Sequence, residues 1–126
     1  GITFKYFSTI KSLMPINNLL IIEDDQRLRE TLERNFQSIL GRNAVYIAED
    51  YDSALEVLKQ GSFDVIICDG LEGFCFLLYD QVKGSQHGEF IIFSGDERHK
   101  PKADELGIPF FDKRYDFSKL LDRYSS

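Results

Sequence analysis

Four apolar residues in unbroken succession, Leu19-Leu20-Ile21-Ile22, stop abruptly at Glu23-Asp24-Asp25. A run with no polar face fits a strand buried on both sides, which in soluble proteins means a parallel sheet covered by helices. The unit recurs. "AVYIA" (44–48), "DVIIC" (64–68), "EFIIFS" (89–94) and "IPFF" (108–111) are further short apolar runs, and helical patterns separate them. Asp25 opens the first helix, with Leu28, Leu32, Phe36, Ile39 and Leu40 on one face, and Gly41 ends it. Asp50 caps a second that carries Ala54, Leu55 and Leu58 and stops at Gly61; the third spans Gly73 to Val82. Pro101 suits the first turn of a short fourth helix reaching Leu106, and Asp116 caps a fifth through Tyr124. Five strand–helix units predict an α/β fold: a doubly wound, five-stranded parallel sheet between two layers of helices.

Residues 18–126 are expected to form this domain, with 1–17 as an N-terminal appendage in which Phe4, Phe7, Ile10 and Leu13 recur every third position. The formal charge of −6 and the lack of a basic cluster argue against nucleic-acid and anionic-membrane partners. No apolar run approaches the roughly 20 residues that span a bilayer. Cys68 and Cys75, in an apolar strand and an apolar helix, read as reduced buried thiols of a cytoplasmic protein. His87 and His99 lack the spacing of zinc ligands.

In doubly wound sheets the functional crevice lies beyond the carboxyl ends of the strands. The residues there are Glu23, Asp24 and Asp25, then Asp69, then Ser94 and Gly95, then Lys113. Each alone has an ordinary structural explanation as a helix cap, a turn residue or a solvated charge. At one sheet edge they are harder to dismiss. Two like charges ~4 Å apart cost on the order of 4 kcal/mol at an effective dielectric near 20, so clustered carboxylates need a counter-ion. Oxygen-only ligands suit Mg²⁺, which keeps waters free for a phosphate. A lysine and a serine hydroxyl can hold further phosphoryl oxygens. Such a site suits a carboxylate that becomes phosphorylated.

Over residues 19–124 these motifs, in this order, resemble a response-regulator receiver domain of two-component signalling. The resemblance implies a flavodoxin-like strand order of 2-1-3-4-5. It implies that Asp69 is the phosphoacceptor, with Ser94 and Lys113 completing the catalytic set. Magnesium would be held by Asp24 directly, by Glu23 through water, by Asp69, and by the carbonyl of Leu71. Ser94 and Phe110 fall where the family's switch residues stand. A histidine kinase or phosphotransfer protein would supply the phosphoryl group, and a second copy or a downstream protein would read the result. Such a domain is a regulatory phosphoacceptor rather than an enzyme, with at most slow self-catalysed phosphotransfer and dephosphorylation.

Two departures bear on that expectation. "DGLEG" (69–73) is shorter than the loop receivers usually carry after the phosphoacceptor. Arg114 follows Lys113 where the family has proline and a cis peptide; with a non-proline residue cis costs ~2.5–4 kcal/mol, so trans is expected. A degenerate receiver acting as a phosphate-independent interaction domain is therefore the alternative. "FCFLLY" (74–79), apolar almost all round, is either a core helix or a docking surface.

Overall fold

The computed structural model describes residues 16–125, so the appendage expected over 1–17 lies outside the described residues up to position 15. The chain alternates β1 (Leu19–Ile22), α1 (Gln26–Leu40), β2 (Val45–Ala48), α2 (Tyr51–Gln60), β3 (Val65–Asp69), α3 (Phe74–Val82), β4 (Glu89–Ser94), α4 (His99–Leu106), β5 (Phe110–Asp112) and α5 (Phe117–Tyr124). Single 3-10 turns occupy Arg42–Ala44 and Leu71–Gly73. Every strand pairing is parallel, in the order β2-β1-β3-β4-β5. No helix among the described residues is long and apolar enough to cross a membrane.

The apolar runs lack polar alternation because both sheet faces are covered, and every position of β1 and β3 is buried. Side-chain alternation sorts them into two layers. Leu20, Ile22, Ile66, Cys68 and Ile92 pack with Ala54 and Leu58 of α2, Cys75 and Leu78 of α3, and Ala103 of α4. Leu19, Ile21, Ile67, Ile91 and Phe93 pack with Leu32 and Phe36 of α1 and Leu120 of α5. The β2 run differs: as an edge strand it exposes Tyr46 and Ile47.

Some boundaries shift, each for a local reason. β3 starts at Val65, not Asp64, because the Asp64 carboxylate accepts the Asn17 and Asn18 N–H groups at 2.7 and 3.2 Å and clasps the entrance to β1. It also runs on to include Asp69, which pairs with Phe93 and so belongs to the ladder rather than to the turn after it. β5 begins at Phe110 because Ile108 closes the end of α4, its N–H on the Ala103 carbonyl at 2.8 Å, and Pro109 has no N–H to give. The Asp116 carboxylate does not cap α5 as expected; it accepts the Asp112 N–H at 2.9 Å and cinches the turn after β5. Gly88 is required by close approach, since a Cβ there would fall 2.1 Å from the Asp64 carbonyl oxygen.

Asp25 does cap α1, accepting the Leu28 N–H at 2.9 Å. Asp25→Ala should lower stability by about 0.5–2 kcal/mol. The urea midpoint measures this, and an unchanged midpoint would show the cap to be dispensable.

Candidate functional site

The carboxyl ends of β1, β3 and β5 deliver three of the expected groups to one point. Glu23 follows β1, its N–H bonded to the Ala48 carbonyl at 3.0 Å, and it is only 1% exposed. Its Oε2 accepts the Asp25 N–H at 3.0 Å, and its Oε1 lies 2.7 Å from Lys113 Nζ. The same ammonium donates to Asp69 Oδ1, and Asp69 Oδ2 accepts the Leu71 N–H at 2.9 Å. Lys113 is set in place by its own N–H, which donates to the Ser94 carbonyl at 3.1 Å and prolongs the β4–β5 ladder. Asp24 is exposed beside them. Carboxylate oxygens of Glu23, Asp24 and Asp69 lie within 4.8 Å of one another.

Charge is out of balance here. Three carboxyl groups share one ammonium, in a crevice where burial weakens solvent screening. Burial pushes the Glu23 carboxyl up to about 7, and the like charge of Asp69 adds to this, although the Lys113 hydrogen bond and the Asp25 N–H oppose it. Burial pulls the Lys113 ammonium down, but its bonds to Asp69 and Glu23 outweigh that and leave it above its ordinary value. The donor set fits Mg²⁺: hard carboxylate oxygens, one of them at an exposed residue where water can complete the coordination shell. The Leu71 carbonyl already accepts the Phe74 N–H that closes the 3-10 turn.

The short loop is closed by unusual backbone. Leu71 and Glu72 hold φ of 49° and 55°, the left-handed region that L residues seldom occupy, and Gly73 follows at 97°. Leu71 is buried at the edge of the layer under α2 and α3. The Lys113–Arg114 peptide is trans, as no described residue has a cis bond. Arg114 grips Asp112 through Nε at 3.1 Å and Nη2 at 2.8 Å, which fixes the turn that carries Lys113.

Ser94 ends β4 almost fully buried, and its hydroxyl oxygen accepts the Asp96 N–H at 3.0 Å. Gly95 has room to spare; a Cβ there would be 4.0 Å from Lys113. Phe110 is half-buried against the α2–α3–α4 layer. Two neighbours escaped sequence reasoning. Arg29 Nη1 donates to the Glu23 carbonyl at 2.9 Å, and His99 Nδ1 lies 3.0 Å from Ser94 Oγ. For Arg29 the only signal was its place one turn into α1; His99 carried none, since no spacing ties it to a motif.

Beside the site, α3 and α4 enclose a groove of about 540 Å³ lined by Phe74, Phe76, Leu77, Lys102 and Leu106, among others. Phe74 is 53% exposed, so "FCFLLY" divides: Cys75 and Leu78 are core, while Phe74 and Leu77 face outward.

A five-stranded parallel sheet in this order, with helices on both faces, defines a flavodoxin-like α/β domain. No family model and no curated protein matches the sequence. Solved structures do match. The N-terminal domain of an uncharacterized protein from Wolinella succinogenes is 28% identical at a TM-score of 0.67, over 85% of this chain and 89% of that one. The non-phosphorylated HemR receiver domain from Leptospira biflexa is 23% identical at 0.68, over 87% and 90%. The response regulator protein TrrA from Thermotoga maritima, in complex with Mg(2+)-BeF, is 20% identical at 0.63, over 87% and 96%. The chain has the fold of response-regulator receiver domains.

The Glu23 shift has a sign that can be tested. From its ordinary 4.5 to about 7, the folded protein holds a proton that the unfolded chain has lost, so stability falls as pH rises through that window. In metal-free buffer Glu23→Gln should remove this fall, worth up to about 3 kcal/mol between pH 5 and 8. Urea denaturation at both pH values reads the difference. An equal loss in parent and variant would contradict the assignment.

Proposed function

We propose that this chain is a phosphoacceptor signalling domain, in which Asp69 takes a phosphoryl group from a histidine kinase or a phosphotransfer protein. The observation that carries this reading is the convergence of Lys113, Glu23 and Asp24 on the Asp69 carboxylate at the end of the central strand. In the transfer, an Asp69 oxygen forms a bond to phosphorus while the bond from phosphorus to the donor's imidazole nitrogen breaks and that nitrogen keeps the electron pair. The charge that spreads over the phosphoryl oxygens needs cations and hydrogen-bond donors held ready for it. Mg²⁺ held by Glu23, Asp24 and Asp69, with the Leu71 carbonyl as a further donor, would supply charge neutralisation and in-line orientation. Lys113 and the Ser94 hydroxyl would bind phosphoryl oxygens once drawn from their present partners.

Phosphorylation engages one Asp69 oxygen and so disturbs its present bond, to Lys113 through Oδ1 or to the Leu71 N–H through Oδ2. The strained Leu71–Glu72 turn leads directly into Phe74 and the apolar groove, which gives the switch a route to a surface that a downstream protein or second copy can read. Ser94 and Phe110 are the switch residues of this reading. The role is regulatory, with only slow self-catalysed gain and loss of phosphate. A cytoplasmic setting suits the two free thiols, Cys68 and Cys75, both buried.

A second reading is favoured by two details: Lys113 already pairs with Glu23 and Asp69, and the Leu71 carbonyl is already engaged. A domain whose site groups are already engaged with one another would bind partners without phosphate. Intact mass after incubation with acetyl phosphate separates the two. The proposal expects one phosphoryl adduct that needs Mg²⁺ and disappears in Asp69→Asn. No adduct on the parent would favour the interaction domain, and an undiminished adduct in the variant would put the acceptor elsewhere.

The metal assignment has its own check. Asp24→Ala should cost much more Mg²⁺ affinity than Asp25→Ala, because Asp25 is engaged in capping α1. Calorimetric titration compares them; equal losses would mean that the wrong acids have been chosen.

A further inference from the structure

His99, in the first turn of α4, has its imidazole inside the candidate phosphoryl site. Nδ1 lies 3.0 Å from Ser94 Oγ. The ring and the hydroxyl stand directly over Gly70, the residue after Asp69: a Cβ on Gly70 would fall 2.7 Å from His99 Nδ1, from His99 Cε1 and from Ser94 Oγ. Phe76 meets the ring edge-on, with centroids 5.8 Å apart, so the imidazole is wedged between α3 and the end of β4. His99 Nε2 faces Asp96 Oδ2 at 3.8 Å, and the Arg98 fork keeps that carboxyl ionised.

The hydroxyl's bonding fixes the direction of the His99 contact. Ser94 Oγ already accepts the Asp96 N–H, and His99 Nδ1 is the one acceptor within its reach among the described residues. Were Nδ1 protonated, the buried hydroxyl hydrogen would have no partner, which is costly. Ser94 therefore donates to Nδ1, and the ring's hydrogen sits on Nε2, turned towards Asp96. In this state the hydroxyl hydrogen points at His99, not at Asp69.

We propose that His99 is a positioning residue that holds the Ser94 hydroxyl in its resting orientation, so that a phosphoryl group on Asp69 has to win this hydroxyl from the imidazole. The proposal rests on the phosphoacceptor reading and adds to it a residue, outside the acid, serine and lysine set, that opposes the phosphorylated state. His99 raises the threshold for switching.

The experiment uses beryllofluoride with Mg²⁺ as a non-covalent stand-in for the phosphoryl group, with binding to the whole chain measured at equilibrium. His99→Phe keeps an aromatic ring against Phe76 but accepts no hydrogen bond, and should bind the probe about three- to tenfold more tightly than the parent. His99→Asn, whose Oδ1 falls where Nδ1 was, should return affinity to the parental value. In a Ser94→Ala background His99→Phe should change nothing. Unchanged affinity in His99→Phe, or tightening that persists without Ser94, would overturn the proposal. Long-range ¹H–¹⁵N spectra of the imidazole test the resting geometry without any probe: an Nε2–H ring is expected, and an Nδ1–H ring would show the hydroxyl accepting and overturn the proposal outright. A parent chain that binds no beryllofluoride but shows the Nε2–H ring would instead break the phosphoacceptor reading and leave the resting geometry of His99 as described.

Discussion

The Lys113 ammonium ties this sheet edge together. Glu23 and Asp69 are both nearly buried at the ends of adjacent strands, and the ammonium between them, helped by the Asp25 and Leu71 N–H groups, offsets their repulsion. Removing one partner from a buried ionic cluster is typically worth several kcal/mol, because the charges left behind stay unpaired. Lys113 reaches them from the far end of β5, on a turn secured by Arg114, Asp112 and Asp116. The turn after β5, the last strand of the sheet, is thus also the element that neutralises the acids.

The same interaction explains why the site is poised rather than settled. One ammonium faces three carboxyl groups, and burial, with the Asp69 charge adding to it, makes the Glu23 carboxyl hold its proton to about 7. A divalent cation would relieve what Lys113 leaves uncompensated. Around this centre the hydrogen bonds are committed: the Leu71 N–H to Asp69, Ser94 Oγ with His99 Nδ1, the Phe74 N–H to the Leu71 carbonyl. The left-handed backbone at Leu71 and Glu72 is the strain accepted for a short loop that can still turn its N–H onto Asp69.

The sheet was legible in the sequence because burial on both faces leaves an unmistakable mark, runs such as LLII and DVIIC without polar alternation. The topology then places Glu23, Asp24, Asp69, Ser94 and Lys113 at one edge, and that placement followed from their positions just after strands. What stayed hidden depends on side-chain choices that pattern does not encode. Asp116 looked like a cap and instead ties β5, since the Asp112 N–H competes for the same carboxylate. Asp69 looked like a turn residue and is the last rung of β3. His99 was invisible, because its contact with Ser94 exists only once α4 packs against α3.

The proposed function requires, above all, that the carboxyl edge bind a cation that Lys113 holds in check. Calorimetric titration of Mg²⁺ into the parent and into Lys113→Ala, at a pH above the Glu23 value, addresses this directly. One weak site is predicted in the parent and a tighter one in the variant, since the ammonium that repels the metal is gone. A variant that binds Mg²⁺ no better than the parent, or a parent that binds none, would contradict it.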